Sequence, residues 1–404
     1  MAAGLALALA GCVVPGNNPE VPTPNSIAAD DPLAAEAALA IMTQGGNAVD
    51  AMVASSLVMA VTLPSRMSLG AYGTCISAVS PAPGPGGALR TELPMNVQVL
   101  RIDPVPLGDG AAVVPALARG LFALHAEAGR LRWAQVVAPA EQIARFGFPM
   151  SRGLQNDLQA VGAFSLQPGP LRNALFGPDG GVRPLGTTIL RPALADTLST
   201  LRRSGGVLSG SLLDNLAAEL SPARPQATAD QVRDTTPVLA ASDDAEIGSD
   251  ILSTPSLRVT RAALAGVPDG AAAQASAVAI AALSADDVSA ACSFTLGGLF
   301  GTGTEGAQTG VIPGQPGPVP DQVAVLHNPF TLNHLGTVAG ADGDAAFLAT
   351  LDAVIEDEVD ARTAVDRAAG GRVAAVVCPT DFGAVTGCSS AIGAGSAGLA
   401  RTGF

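Results

Sequence analysis

The sequence predicts a layered, mixed α/β fold in which strands are packed between helices. Three observations lead to this prediction: helical patterns dominate the first half, two apolar strand-like runs lie together at 278–283 and 288–296, and a helical pattern returns at 343–359. The regular alternation of strand and helix that marks a doubly wound parallel sheet is absent. We therefore expect a strand layer covered by helices on both sides.

The individual elements follow from periodicity and end signals. An apolar stripe and a Gly45-Gly46 stop predict a first helix, and Asn47 caps a second helix that has Asp50 in its first turn. Further helices are predicted over 116–127, 133–145, 190–204, 212–220 and 363–369. Residues 73–79 are predicted as a strand, 92–103 as extended chain and 309–320 as a Pro/Gly loop.

Composition limits the classes of partner. The chain has 404 residues, 48% hydrophobic but only 3% aromatic, so a large core must be built from Ala, Val, Leu and Ile. All 21 basic residues are arginines, and against 35 acidic residues they leave a net charge of −14. This balance argues against nucleic acid and against an anionic membrane surface as partners.

The N-terminus is typical of a bacterial lipoprotein signal. An apolar run at 5–12 ends in Leu-Ala-Gly-Cys and is too short to span a bilayer. It resembles the end of a lipoprotein signal, so Cys12 is predicted to carry a lipid anchor. Residues 1–12 are thus assigned to the signal, 13–30 to a tether and 31–404 to a single domain. A stray buried cysteine is the alternative for Cys12.

The other cysteines bear on disulfides rather than metals. An exported chain can form disulfides, and Cys378 and Cys388, ten residues apart in a Gly-rich tail, are the predicted pair. Cys75 and Cys292 lie in apolar strand-like runs and are expected to be buried thiols. No Cys/His spacing fits a zinc site, so no metal is expected.

Two other patterns do not predict a site. Residues 301–306 fit G-x-G-x-x-G, but the sequence that follows would not begin a helix, so a dinucleotide site is rejected. His125 is predicted to be structural, and no catalytic role is assigned to His327 and His334, which flank a loop.

Longer segments resemble the γ-glutamyltransferase (glutathione hydrolase) family. Residues 35–60, AEAALAIMTQGGNAVDAMVASSLVMA, resemble its N-terminal helices, and residues 114–154 are similar to the core of its large subunit. Residues 175–220 continue the similarity, and TLGGLFGTG at 295–303 looks like the small-subunit turn after two central strands. The chain is identified as a shortened, divergent member, with 31–255 large-subunit-like and 270–404 small-subunit-like.

The resemblance implies an N-terminal-nucleophile hydrolase with a four-layer αββα sandwich and no cofactor. Such a precursor cleaves itself ahead of a threonine, whose hydroxyl then attacks a γ-glutamyl carbonyl with its own α-amine as base. An arginine holds the glutamyl carboxylate, and backbone N–H groups of a Gly-Gly pair stabilise the oxyanion.

The nucleophile position implied by the family holds no alcohol. The family has Thr-Thr-His at the head of its first small-subunit strand, and an ungapped count back from Thr295 places Ala277 there. Alanine can neither attack a carbonyl nor drive self-cleavage. Ser276 lies one residue earlier and would offer a serine nucleophile, but a one-residue slip turns side chains to the opposite face of a strand.

The remaining implied site residues are incomplete. Arg90, in LRTELP, stands where the family has its carboxylate-binding arginine before a proline. The oxyanion region corresponds to Gly343 and Asp344, where the carboxylates of Asp342 and Asp344 would repel a developing oxyanion. The segment between 250 and 275 is also shorter than the family's junction between subunits.

These observations predict an exported, periplasmic lipoprotein of γ-glutamyltransferase type that stays uncleaved and lacks peptidase chemistry. Such a scaffold would bind a small γ-glutamyl or amino-acid-like ligand through Arg90, or a partner protein, and would meet the membrane only through Cys12. One alternative is an active hydrolase or transferase that uses Ser276 or another alcohol. A further alternative is a chain that keeps the fold without a selected function.

Overall fold

The computed structural model describes residues 24–81, 93–108, 110–266, 276–341, 343–356, 359–368, 371–381, 384–385, 387–393 and 398–403. The strands in chain order are β1 (Asn25–Ala29), β2 (Tyr72–Val79), β3 (Asn96–Ile102), β4 (Pro106–Leu107), β5 (Ala112–Val113), β6 (Phe148–Pro149), β7 (Thr188–Ile189), β8 (Val238–Ala241), β9 (Asp243–Ile247), β10 (Asp250–Thr254), β11 (Val278–Ser284), β12 (Val288–Thr295), β13 (Val323–His327), β14 (His334–Gly340), β15 (Val373–Val377), β16 (Thr380–Asp381), β17 (Ala384–Val385), β18 (Ser389–Ile392) and β19 (Leu399–Gly403).

The helices in the same part of the chain are α1 (Pro32–Thr43), α2 (Ala48–Thr62), α3 (Leu117–Ala128), α4 (Trp133–Phe146), α5 (Arg152–Val161), α6 (Pro170–Leu175), α7 (Pro192–Ser204), α8 (Gly210–Leu220), α9 (Pro225–Asp234), α10 (Leu257–Ala265), α11 (Asp344–Glu356) and α12 (Ala361–Asp366). A short 3₁₀ helix covers Ala163–Ser165. No helix among these is both long and apolar enough to cross a bilayer.

Two antiparallel sheets are stacked face to face. The first has the order β19-β1-β11-β12-β2-β3-β8, and the second has the order β18-β15-β14-β13-β10-β9. Small apolar side chains such as Ala277, Ala279, Val325 and Ala374 fill the layer between them. Because alanine and valine dominate, the sheets pack closely without aromatic side chains.

Helices cover both outer faces. Helices α1 and α2 pack on the first sheet, where Ile280 and Ala282 of β11 face them, and α10, α11 and α12 pack on the second sheet. The predicted αββα sandwich is confirmed. Asn47 caps α2 as expected, since its side chain accepts from the N–H groups of Val49 and Asp50, and the Asp50 carboxylate accepts from the Asn47 N–H.

The predicted tether contains a central strand. Residues 13–30 were expected to link a lipid anchor to the domain, but Asn25–Ala29 form β1, which is buried between β11 and β19. The correction has a non-local cause: this short segment gains its strand partners only from residues more than 240 positions away, with Ala28 opposite Ala281. Residues 1–23 lie outside the described residues.

Both cysteine pairs of the described chain form disulfides. Cys378 and Cys388 are bonded, as the sequence predicts. Cys75 and Cys292 are also bonded, whereas buried thiols were expected. The register explains the difference, because β12 pairs with β2 so that Cys292 lies directly opposite Cys75 with both side chains on the helix-facing side.

Candidate active site

The head of strand β11 lies between the two sheets, next to the residue that precedes β15. Ala277 precedes β11, is completely buried, and packs among the side chains between the sheets. Its methyl group is the only side-chain feature at the position that the family resemblance assigns to the nucleophile. The Ala279 N–H, two residues on, donates to Asp30 Oδ2 at 2.9 Å.

Two hydroxyl groups meet beside Ala277. Ser276 Oγ lies 3.0 Å from Thr295 Oγ1, and both residues are buried. The Gly297 N–H donates to the same Thr295 oxygen at 3.0 Å. Thr295 therefore offers a fixed hydrogen-bonding partner to Ser276, although Ser276 stands one residue before the strand position opposite Thr295.

A buried arginine that the sequence analysis missed joins the two sheets at this point. Arg372 Nη1 donates to the Ala277 carbonyl oxygen at 2.8 Å, and the Arg372 carbonyl accepts from the Ala341 N–H at 2.9 Å. Ser293 Oγ makes a second link by donating to the Gly340 carbonyl oxygen at 2.7 Å. In sequence, an arginine after two glycines is indistinguishable from a surface residue, so no signal indicated this role.

The predicted oxyanion region lies next to this link. Gly343 has a φ of 89°, and Asp344 begins α11. Asp344 Oδ2 accepts from Arg258 Nη1 at 3.1 Å, and Oδ1 accepts from Gln322 Nε2 at 2.9 Å. Arg258 offsets part of the charge of Asp344, so the repulsion is weaker than an isolated carboxylate would give. Asp342 lies outside the described residues.

The ion-pair cluster around Arg258 is partly desolvated. Burial alone would lower the pKa of Arg258, but its contacts with Asp321 and Asp344 raise it above its ordinary value. Burial raises the pKa of Asp321 against the attraction of Arg258. Because the two carboxylates of Asp321 and Asp344 share one arginine, the positive charge of Arg258 cannot neutralise both of them.

Arg90, the predicted carboxylate-binding arginine, lies outside the described residues. Arg101 is another arginine whose position in the first sheet can be compared with that of Ala277. Strand β3 places Arg101 opposite Thr74 of β2, and Thr74 lies opposite Ser293, whose hydroxyl reaches across to the second sheet. Arg101 is therefore on the inner face at the same end as Ala277. The order Arg101, Asp103, Pro104 at the end of a predicted extended segment is the signal that could have identified it.

The histidines do not belong to this site. His334 contacts Ser289 and Asp287 at the other end of β11. Ser289 lies opposite Leu283, which is six residues after Ala277 and therefore about 20 Å away along the strand. His125 lies on α3, where Nε2 is 3.0 Å from the Leu131 carbonyl oxygen and 3.2 Å from Asp50 Oδ1. Among the described residues, no cluster of three or more His, Cys, Asp or Glu side chains could hold a metal ion.

Asp31, one residue beyond the Asp30 that contacts β11, gives a testable pH dependence. It caps α1 by accepting from the Ala34 N–H at 3.1 Å and from Thr62 Oγ1 at 2.9 Å, and burial raises its pKa to about 6. Since this lies above the unfolded value of 3.8, its contribution to stability is largest below pH 3.8 and is lost as the pH rises through 6.

Asp31→Asn should therefore stabilise the protein at pH 8, by about 1–3 kcal/mol, because asparagine keeps the cap without the buried charge. The gain should be smaller at pH 5, as measured by urea unfolding at the two pH values. Exposed Asp352, changed to asparagine in the same way, should give no such gain. An equal gain for Asp31→Asn at both pH values would contradict the assignment.

Comparison with known proteins agrees with this geometry. The family model for gamma-glutamyltranspeptidase matches residues 34–230. Glutathione hydrolase 2 of Arabidopsis thaliana is 29% identical over 209 residues, covering 49% of this chain and 35% of that protein. The glutathione hydrolase proenzyme of Pseudomonas aeruginosa is 29% identical over 213 residues, covering 48% and 36%. The chain belongs to the γ-glutamyltranspeptidase family.

The extent of the match is limited. Human glutathione hydrolase 5 proenzyme is 31% identical over 212 residues, which are 48% of this chain and 35% of that protein. The match thus spans about a third of the length of these curated relatives. A solved structure described as cephalosporin acylase from Bacillus halodurans covers 98% of this chain and 99% of its own, with a TM-score of 0.71 and 15% identity. It supports the fold of the γ-glutamyltranspeptidase-like chain over its whole described length.

Proposed function

We propose that this γ-glutamyltranspeptidase family member stays a single chain and has lost the N-terminal-nucleophile chemistry. One observation carries the proposal: the buried residue at the head of β11 is Ala277, which has no atom that can attack a carbonyl. The Arg372 contact to the Ala277 carbonyl holds this segment in place as part of the packed chain. Neither self-cleavage nor an acyl-enzyme can form at this position.

A specific contact favours a second candidate function. The 3.0 Å separation of Ser276 Oγ and Thr295 Oγ1 is the kind of arrangement that orients a hydroxyl nucleophile. In this alternative, the chain would cleave itself ahead of Ser276 and hydrolyse or transfer γ-glutamyl groups. We favour the first proposal because Ala277, not Ser276, occupies the inward-facing strand position beside Thr295.

For the uncleaved protein we propose binding of a small, amino-acid-like carboxylate. Arg101 supports this because it lies on the inner face at the same end of the first sheet as Ala277, three strands away, is half exposed, and contacts Asp103 through Nε at 2.6 Å. A planar, half-exposed guanidinium suits recognition of a carboxylate. A ligand carboxylate would have to displace Asp103 from Arg101, or bind Arg101 together with Asp103.

Export is part of the same proposal. Two disulfides, Cys75–Cys292 and Cys378–Cys388, are favoured in an oxidising compartment and are rare in the bacterial cytoplasm. A lipid anchor at Cys12 and a periplasmic location remain predictions that this pairing supports. The net charge of −14 still argues against nucleic acid as a partner.

Hydrolysis of a γ-glutamyl anilide tests the proposed loss of chemistry. We expect purified protein to release p-nitroaniline from γ-glutamyl-p-nitroanilide no faster than buffer, and Ser276→Ala to change nothing. A matched control is Ser284→Ala at the other end of β11. Turnover that Ser276→Ala lowers by about 10³-fold or more, while Ser284→Ala does not, would establish the alternative.

A further inference from the structure

The two sheets of the sandwich end differently on their two sides. On one side, the edge strands are β18 and β19, which contact each other through Ser390 Oγ and Thr402 Oγ1, 3.1 Å apart. On the other side, β8 ends the first sheet and β9 ends the second. Because Ser242 alone separates β8 from β9 along the chain, these two edges lie in one region of the surface.

Strand β8 is an open edge. Its four residues, Val238–Ala241, are all exposed, with Val238 at 49% and Leu239 at 38%. Among the described strands it pairs with β3 alone. Alternate residues of an edge strand turn their N–H and C=O groups away from the neighbouring strand. Every second residue of β8 therefore offers unpaired backbone groups to an added strand.

The side chains of β8 do not protect this edge. Charged side chains, prolines or a covering element commonly prevent an edge strand from pairing with another chain. The other described edges of the two large sheets have such protection: β9 carries Asp243, Asp244 and Glu246, β19 carries Arg401, and β18 packs against α12. Strand β8 has the sequence VLAA, which contains neither charge nor proline. An added strand would therefore meet the least hindrance at β8.

Carboxylates flank both ends of β8. Asp234 lies four residues before the strand, and Asp243, Asp244 and Glu246 follow it on β9. None of the four forms an ion pair with another residue in the part of the chain that the structure describes. Their negative charge favours a partner that brings positive charge to this edge.

The arginines near the same edge are engaged within the chain. Arg101 of β3 contacts Asp103, and Arg233 of α9 contacts Asp230. Arg119 donates to two carbonyl oxygens at the end of α9. A second copy of the chain would bring the same carboxylates to the same edge, and their repulsion disfavours that occupant. A peptide with basic residues meets the opposite condition.

We propose that β8 is a docking edge for an extended peptide that has apolar residues in its centre and basic residues at both ends. The peptide adds a strand beside β8 through backbone hydrogen bonds. Its basic ends meet Asp234 on one side and Asp244 and Glu246 on the other. Its central side chains extend the two sheet faces on which Val238 and Leu239 lie. This docking edge does not depend on whether the head of β11 has lost its chemistry.

Peptide binding by the whole purified protein tests the docking edge. The probe is a fluorescein-labelled peptide of alternating valine and threonine with two arginines at each end, followed by fluorescence anisotropy at low salt. We expect saturable binding at protein concentrations up to about 1 mM. The same peptide with its central amides N-methylated keeps its charge but cannot pair, so it should bind at least about 10-fold more weakly. Absence of saturable binding would overturn the proposal.

The role of the carboxylates is tested with two matched double substitutions. Asp244→Asn with Glu246→Gln removes two charges beside β8 and should weaken binding of the arginine peptide by about 3–10-fold. Glu36→Gln with Asp352→Asn makes the same change in net charge at exposed residues of α1 and α11. This second pair should leave the affinity within about 2-fold, because distant exposed charges are screened. Equal effects of the two pairs would contradict the assigned occupant.

Hydrogen exchange locates the bound peptide and identifies other occupants. Outward-facing amides of 238–241 should exchange rapidly in the free protein and at least about 10-fold more slowly with the arginine peptide bound. The proposal is overturned if these amides are already protected in the free monomer, because another segment of the chain would then cover β8. It is also overturned if protection appears only with dimerisation in sedimentation, or if the peptide binds without changing these amides.

Discussion

Replacing Arg191 by methionine should lower the free energy of unfolding by about 3–5 kcal/mol. The Arg191 side chain is 1% exposed and pairs with Glu305 at 2.9 Å. Its Nη1 also donates to the Ala60 carbonyl oxygen at 2.7 Å, and its Nη2 to that of Gly310 at 2.8 Å. One guanidinium thus joins the end of α2, the start of α7 and the loop after β12. Methionine would leave the Glu305 carboxylate and two carbonyl groups in a buried site without their donor.

A surface arginine provides the matched control. Arg145 is 40% exposed and contacts Asp196 at 3.0 Å and Glu141 at 3.4 Å. Arg145→Met should cost less than about 1 kcal/mol, since exposed pairs are screened by water and salt. Urea unfolding followed by circular dichroism measures both variants. If the two variants lost free energy of unfolding to within about 1 kcal/mol of each other, the burial of Arg191 would not explain its contribution to stability.

Removal of the Cys75–Cys292 disulfide by a double change to alanine should cost up to about 5 kcal/mol. The bond links positions 217 residues apart, so it restricts the unfolded chain far more than a short loop would. It also joins β2 to β12, the two strands that carry Thr74, Ser293 and Thr295. We therefore expect the loss to extend to the geometry of the candidate site.

The second disulfide supplies the comparison. Cys378 and Cys388 are only 10 residues apart, and their double replacement by alanine should cost about 2–3 kcal/mol. Urea midpoints of the two double variants and the parent, all without reductant, give the order of the effects. A larger loss from the Cys378–Cys388 pair would contradict the argument from loop length.

Elements with strong local signals could be predicted from the sequence. The helices α1 and α2 follow from an apolar stripe, a Gly-Gly stop and the Asn47 cap, all of which act within a few residues. Strands β11 and β12 were predicted to within one residue at their ends. The sandwich itself came from the resemblance, because no periodicity indicates how strands from distant parts of the chain are ordered in a sheet.

Features that depend on distant partners could not be predicted. Strand β1 exists only because β11 and β19 flank it, and the Cys75–Cys292 bond depends on the register of β2 and β12. Arg372 lies in an unremarkable Gly-Gly-Arg segment, and its buried contact with Ala277 arises from the stacking of the sheets. In the candidate site, Ala277 and Ser276 were found by counting from Thr295, whereas Arg101 needed the sheet register.

The integrity of the chain at Ala277 tests the account most directly. Purified protein, kept at neutral pH for days, should be measured by intact mass spectrometry under denaturing conditions and without reductant, then again after reduction. We expect both measurements to show a single chain that is continuous through residues 275–278. Its mass should not exceed the 39.9 kDa of the 404-residue sequence. A C-terminal fragment that begins at Ser276 or Ala277 and is released after reduction would contradict the account, because it would mean that the head of β11 still performs self-cleavage.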